Sequence, residues 1–531
     1  MKRTIWILLS LLMLGTVLAA GQTVPPGTFQ HIIIIVQENR SPDNLFGAAT
    51  TGNCPPATEV PFETGVDIVN GGPAKQKGGA VQCTVPVALD AKNLDPNHTY
   101  SGGWLPDYDG GKLDGFCQIQ NGSGTCLQYS YVQPSDVQPY YDIAQAYGWA
   151  NYMFQTNEGP SFPAHQFLFT GTSAPVAPYN TGFLDFIAGN PPSNTSGCPY
   201  GSSPPSPPAW VGPEGHTSTP NTAECYTHDS LVTNSSGDKG FSWRYYAPTT
   251  GSIWDAPQSI PEVCYGANNL GNVGQACSGT EWTSHLSFYT GTLGGAPIFN
   301  DIKNCQLQQI SWVIPDEAWS DHPGNSGLGP SWVGDIVDAI GQSYKNSGGG
   351  CDYWGTYSPT PEPTAIFVVW DDWGGWFDHV QPPAVYRSTS KTSCPTSVAP
   401  NGWGCGYVYG FRVPLLVVSE YTSAGYVSGP CTNNCPQAVF PYVHDFGSIL
   451  AFTEYNFGIG FIDQSGDLGY ADYNAPDWGP SRNNIPLSDF FSLNNQRGFT
   501  YINTPKAPGY FEKYYSETHA TPTGPDADGE E

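Results

Sequence analysis

Four short runs of apolar, mostly β-branched residues constrain this chain more than any other feature. They are Ile32–Val36 (IIIIV), Ile310–Ile314 (ISWVI), Ala365–Trp370 (AIFVVW) and Val413–Val418 (VPLLVV). None alternates apolar with polar, so neither face of such a strand is suited to water. That is the pattern of central strands in a parallel sheet covered on both sides. Weaker helical stretches lie between them, at Val137–Tyr147, Pro163–Thr170, Ser331–Ser343 and Val443–Asn456. The alternation predicts an α/β fold with a doubly wound, mostly parallel central sheet flanked by helices. Segments 50–130 and 190–300 are rich in Gly, Pro, Ser, Thr and Cys. They read as loop insertions on one domain spanning 21–515 rather than as domains of their own.

The first residues set the compartment. Lys2 and Arg3 precede an apolar run from Ile5 to Leu18, and the small residues Ala19 and Ala20 follow. This is the layout of a secretory signal peptide over 1–20. The run is shorter than the ~20 residues a membrane-spanning helix needs, and no other run reaches that length. The mature chain is therefore expected to be secreted, without a transmembrane segment. In an exported chain the 14 cysteines read as disulfides. Cys54–Cys83, Cys117–Cys126 and Cys431–Cys435 are the expected short-range pairs, clipping loops that have little helix or strand of their own. The stretch 516–531, ending in TPTGPDADGEE, reads as a disordered tail.

Asp and Glu outnumber Lys and Arg by 46 to 18, a net charge of −28. Such a surface repels phosphate backbones and anionic lipid, which excludes a nucleic-acid-coating role. It suits an acidic habitat, where many of the carboxylates are neutral. The 16 Trp and 31 Tyr, set partly in braced loops, keep a secreted carbohydrate-binding protein as an alternative of another class.

The chemistry lies where the strands stop. IIIIV runs into Glu38, Asn39 and Arg40, and AIFVVW runs into Asp371 and Asp372. Open α/β sheets bind ligands at the carboxyl ends of their strands. One strand-end acid would read as a helix cap. Three carboxylates and an amide converging on one rim read as a hard-cation site, because adjacent acids repel each other unless a cation lies between them. Ser161 follows a Gly159–Pro160 turn and opens an apolar helical run. It is either a helix cap or a nucleophile at a helix N-terminus, where backbone N–H groups receive phosphate. The chain has no G-x-S-x-G elbow and no G-x-x-x-x-G-K-[ST] loop. His98, His285, His322, His379 and His444 lie near these segments. As a group they suit phosphate binding or protonation of a leaving group.

These stretches resemble the secreted bacterial phosphoesterases of the alkaline phosphatase superfamily, which include phosphatidylcholine-type phospholipases C and a group of acid phosphatases. The matching segments are HIIIIVQENRSPDNLFG (31–47), DYDGGKLDGF (107–116), NEGPSFPAHQFLFTGT (157–172), SDHPGNSGLGPSWVGDIVDAI (320–340), AIFVVWDDWGGWFDHVQPP (365–383) and YGFRVPLLVVSEYTSAGYVS (409–428). The resemblance implies an alkaline-phosphatase-like catalytic domain and a divalent metal ion: Ca, Mg, Mn or Zn. Its implied ligands are Glu38, Asn39, Asp371 and Asp372, with the Ser161 hydroxyl completing the coordination. Ser161 is the implied nucleophile, through a phosphoserine intermediate. His98 and His322, with His285 as a third, are the implied phosphate-binding histidines. Arg40 and His379 are expected to contact substrate. The chain departs from the family at Pro42 and Asn44, where Phe and His are usual. It also has Ser161 where the phospholipase branch usually has Thr, and it ends soon after the core without that branch's extra C-terminal β domains. The expected function is thus a secreted acid phosphatase acting on phosphomonoesters. The alternative is a phospholipase C cleaving phosphodiester head groups. The expected partners are accordingly small phosphate esters or phospholipid head groups.

Overall fold

The computed structural model describes residues 24–524, apart from 48–73, 76–80, 83–84, 93, 123, 175–185, 192–195, 201–209, 212–216, 219–224, 227–228, 235–236, 290–296, 384–407, 430–439, 463–469 and 479–482. All four apolar runs form strands of one eight-stranded sheet. In chain order its strands are β1 (His31–Gln37), β2 (Gly148–Ala150), β3 (Trp243–Ala247), β4 (Leu286–Phe288), β5 (Ile310–Val313), β6 (Thr364–Trp370), β7 (Leu415–Val418) and β8 (Tyr426–Ser428). Their spatial order is β4-β3-β5-β1-β6-β7-β2-β8. β1 lies between β5 and β6, parallel to both, and every residue of β1 and β6 is buried.

Helices cover both faces. They are α1 (Gln138–Ala146), α2 (Ser161–Thr170), α3 (Thr280–His285), α4 (Gly329–Gly341), α5 (Phe446–Phe457) and α6 (Pro508–Thr518). Strand side chains alternate between the two layers. Ile34 is level with Trp312 on one side and Phe367 on the other. Trp312 packs edge-on against Phe169 of α2, with centroids 5.1 Å apart, and Phe367 meets Phe452 of α5 at 5.7 Å. Trp370, three residues beyond Phe367, points the other way and meets Tyr140 of α1 at 5.0 Å. α1 in turn packs on α4, and α4 on α6. Among the described residues no helix is long and apolar enough to cross a membrane.

Three expectations need correction. β7 runs antiparallel to both of its neighbours, β6 and β2: a fully buried strand is apolar whichever way it points. Segment 190–300 is more than insertion, since it supplies β3 and β4 to the sheet edge. β4 (LSF) is the edge strand and is only half-buried, whereas β3 (WRYYA) is buried at all but Arg244 and fills its positions with aromatic residues and Ala instead of an aliphatic run. The stretch expected to be a tail from residue 516 also carries structure as far as 524. α6 continues to Thr518, and the Thr523 amide donates to Asp316 Oδ2 at 2.7 Å.

Cys117–Cys126 forms as expected, joined by Cys198–Cys225, Cys264–Cys277 and Cys305–Cys351. No cysteine is free among the described residues. The signal peptide and the pairs Cys54–Cys83 and Cys431–Cys435 lie outside the described residues.

Candidate active site

Register brings the strand-end acids together. Gln37 is level with Trp370, so Glu38 and Asp371 leave the sheet side by side. The ladder continues one step further, with the Asp371 amide donating to Gln37 O at 2.9 Å. The chain then turns sharply at Asn39, whose φ is +57°, and the Asn39 amide donates to Asp371 Oδ1 at 3.0 Å. Gly374 explains the small residues after the acid pair. It has φ +62°, and a Cβ there would lie 2.3 Å from Asn39 O, so only glycine fits both the conformation and the contact.

Glu38, Asn39, Asp371 and Asp372 are all buried. Glu38 Oε2 and Asp371 Oδ2 have no hydrogen-bond partner. Burial drives the Glu38 carboxyl well above its ordinary range, and the nearby charges of Asp371 and Asp372 push it further the same way. Buried carboxylates in this state need either protons or a cation.

α2 brings two groups to the same place. Ser161 is its first residue, following Pro160 in extended conformation. The Ser161 hydroxyl lies 3.2 Å from Asp372 Oδ2 and 3.3 Å from Asn39 Oδ1. One turn on, His165 Nε2 lies 2.9 Å from Glu38 Oε1 and 3.9 Å from Asp371 Oδ2. Glu38, His165 and Asp371 therefore form a three-residue group of metal-ligand type. Burial lowers His165 to about 4, so the ring is neutral and can donate from Nε2 to Glu38. His165 was missed in the sequence because a histidine inside the run SFPAHQFLF reads as packing. Its i, i+4 spacing from Ser161 was the available signal, since such residues share a helix face.

The other histidines divide. His98 Nδ1 lies 2.9 Å from Pro96 O, and its Nε2 lies 3.0 Å from Asn39 Nδ2. The ring thus donates to the carbonyl and accepts from the amide, which turns Asn39 Oδ1 toward Ser161. The His322 ring stands 6.4 Å from that of His98, on the same rim.

His285 is not there. It stacks on Trp243 at 4.4 Å, and Trp243 is level with Ile310 and, through it, Ile32. That is the opposite end of the strands from Glu38, about 20 Å away for six strand residues. Arg40 is taken up by partners within the protein. Its buried guanidinium donates to Asp321 O, Asn44 Oδ1 and Leu89 O at 2.9–3.1 Å, so it ties loops to the rim. His379 is half-buried, and its Nδ1 lies 2.6 Å from Asp43 Oδ2. It belongs to a neighbouring cluster centred on Arg412. That side chain meets Asp378 Oδ1 through Nε at 2.9 Å and Asp378 Oδ2 through a terminal nitrogen at 3.0 Å.

The model of the phosphoesterase family matches residues 29–460. The chain is 25% identical over 463 residues to the non-hemolytic phospholipase C of Burkholderia pseudomallei, covering 81% of this chain and 55% of that protein. It is 23% identical to the non-hemolytic phospholipase C of Pseudomonas aeruginosa, covering 81% and 54%. It is 26% identical to phospholipase C B of Mycobacterium tuberculosis, covering 74% and 68%. The chain thus spans about half the length of the first two of these relatives.

Proposed function

The chain belongs to the phosphoesterase family, and on that basis we infer that it is a metal-dependent phosphoric ester hydrolase with Ser161 as its nucleophile. One observation carries this reading: a serine hydroxyl at a helix N-terminus lies 3.2 Å from Asp372, within an acid group whose Glu38 and Asp371 each keep a buried oxygen without a partner.

The donor set suits a divalent cation, because it offers carboxylate and amide oxygens with a neutral imidazole beside them. Held by Glu38, Asn39, Asp371 and Asp372, with the Ser161 hydroxyl beside them, such an ion would supply the positive charge that favours the Ser161 alkoxide and offsets charge on a phosphoryl group. Asp372 orients the hydroxyl and accepts its hydrogen bond. Asn39 fixes the second direction, and His98 holds that amide in place. His165 orients Glu38 through Nε2. The first turn of α2 presents its N-terminal end to the same space, which favours an anion there. His322, on the same rim as His98, is the group proposed to protonate a departing alkoxide.

The substrate proposed is a phosphomonoester, on the ground that residue 161 is Ser. Hydrolysis of a phosphodiester head group is the second reading, favoured by the phospholipase C names of the relatives. Turnover of p-nitrophenyl phosphate against p-nitrophenyl phosphorylcholine separates the two. The nucleophile has its own test. A brief acid quench with phosphate-labelled substrate should leave label on the peptide containing Ser161. Ser161→Ala should lose several orders of magnitude in turnover, whereas loss of a hydroxyl with only a structural role would leave turnover intact. A Ser161→Ala enzyme with near-normal turnover would sink the mechanism.

A further inference from the structure

The histidine that the sequence assigned to the active site lies in a second constellation at the opposite end of the sheet. His285 ends α3, and its ring lies flat on Trp243, with an interplanar angle of 11°. Its Nδ1 stands 2.8 Å from Trp243 O. A carbonyl can only accept, so Nδ1 carries a proton. In the neutral ring Nε2 is then a bare lone pair. That lone pair faces two carboxylates: Glu281 Oε2 at 3.3 Å, one helical turn earlier, and Asp238 Oδ2 at 3.9 Å. The three donor atoms lie within 4.8 Å of one another.

Neutral imidazole and two carboxylates placed this way repel each other unless something positive lies between them. A proton on Nε2 is one candidate, but its geometry is poor. Glu281 Oε2 is buried and has no hydrogen-bond partner, although Nε2 is only 3.3 Å away. The pair is close without being aligned as donor and acceptor. A shared metal ion explains both facts. Ligand atoms about 2.0–2.1 Å from a tetrahedral ion stand about 3.3–3.4 Å apart, and each points at the ion instead of at its neighbour.

The surroundings fit the same reading. A backbone carbonyl on the far ring nitrogen is the usual way a ligand histidine is fixed in tautomer and orientation. Asp238 holds its other oxygen on the Gly240 amide at 2.8 Å, which leaves Oδ2 aimed at His285. The adjacent Lys239 turns away and donates to Ser230 O at 2.8 Å, so it does not neutralise the cluster. The side chains of Asp238, Glu281 and His285 are 33%, 15% and 19% exposed. An ion can therefore enter from solvent, and a fourth position stays open to water.

We propose that Asp238, Glu281 and His285 form a second divalent-metal site, of zinc type, that joins the two-residue strand Gly237–Asp238 to α3 and to β3, the strand next to the sheet edge. It lies about 20 Å from the strand-end acids and shares no residue with them.

Zinc alone is the probe. Full-length mature protein is dialysed against zinc at about pH 7.5, where an ordinary histidine is neutral, and bound metal is counted by mass spectrometry. Wild type should bind one equivalent more than His285→Gln and one more than Glu281→Gln. Zinc should raise the thermal midpoint of wild type more than that of either variant. Asp371→Asn should lose a different equivalent, so failure of this site and failure of the active-site reading are distinguishable. Equal zinc content in wild type and both variants would overturn the proposal and leave a protonated His285 between the acids. If His285→Gln does not fold, Glu281→Gln, which keeps the side chain's length and polarity, decides by the same count.

Discussion

Two groups of buried acids stand on the segments that leave β1 and β6, and they are neutralised differently. Asp378 meets the Arg412 guanidinium at 2.9 and 3.0 Å, and Asp43 lies 3.5 Å from the same side chain. Glu38 and Asp371 have no such partner, and each keeps a buried oxygen without a hydrogen-bond donor. The first group carries its counter-charge in the sequence. The second is built so that the counter-charge can come from outside. A guanidinium fills its site permanently with a fork of donors, which suits a structural tie. An ion leaves room beside it for Ser161 and for a phosphoryl group. Comparing the two explains why so many acids in one small region need not be redundant.

The comparison breaks most visibly if the acids after β6 are removed. Asp371→Asn combined with Asp372→Asn should lower turnover by about four orders of magnitude, or about 5 kcal/mol of barrier. Circular dichroism should remain native, because removing like charges relieves repulsion in the metal-free protein. Arg412→Met should do the reverse. It leaves Asp378 buried and uncompensated, so stability should fall by about 3–5 kcal/mol in denaturant titration. Metal content of the folded fraction should not change. An Arg412→Met protein as stable as wild type would show that the ion pair is dispensable.

A smaller change sharpens the role of Asn39. His98→Phe removes the acceptor that fixes the amide, and turnover should fall about 10–100-fold, as for other groups that orient a ligand. His98→Gln, which can still accept from Asn39 Nδ2, should recover part of it. Equal turnover in both variants would separate the orientation of Asn39 from catalysis.

A third acid pair shows another solution, protons. On α4, Asp335 Oδ1 accepts from Thr504 and Asp338 Oδ1 from the Ile502 amide, while both Oδ2 atoms are buried without partners. Burial raises Asp335 to about 8 and Asp338 to about 7. Folded-state values above the ordinary 3.8 mean that the stabilising form is the neutral acid. This contribution is complete below about pH 4 and is lost as pH rises through about 7 to 8. Unfolding midpoints should therefore fall from about pH 4.5 to about pH 8, and Asp335→Asn with Asp338→Asn should flatten that slope. A slope as steep in the double variant would assign it to other groups.

The sequence is most legible where burial and register coincide. IIIIV and AIFVVW could only be central strands, and the residues that follow them had to emerge on one rim. This made Glu38, Asn39, Asp371 and Asp372 readable as one group. Ser161 was readable because a turn before an apolar run marks a helix start. The direction of β7 was not readable, since a buried strand is apolar either way. β4 was hidden because an edge strand carries no strong apolar run, and β3 because its buried positions are Trp and Tyr around Arg244 instead of an aliphatic run. His165 was lost in its own helix, where its neighbours are aromatic. Arg40 and His285 were read as site residues because charge and ring chemistry suggest ligands, whereas only the fold reveals which end of a strand a side chain serves. Arg40 is buried under carbonyl acceptors, and His285 is six strand residues from the rim.

Metal content measured together with turnover tests the contrast between the acid groups most directly. Wild type, Asp371→Asn and Arg412→Met are purified alike, stripped with chelator, reloaded with one divalent ion at a time and assayed on p-nitrophenyl phosphate. Asp371→Asn should hold one equivalent less than wild type and should lose turnover with it. Folded Arg412→Met should match wild type in both. Full turnover in stripped wild type, or unchanged metal in Asp371→Asn, would contradict a cation held by the strand-end acids.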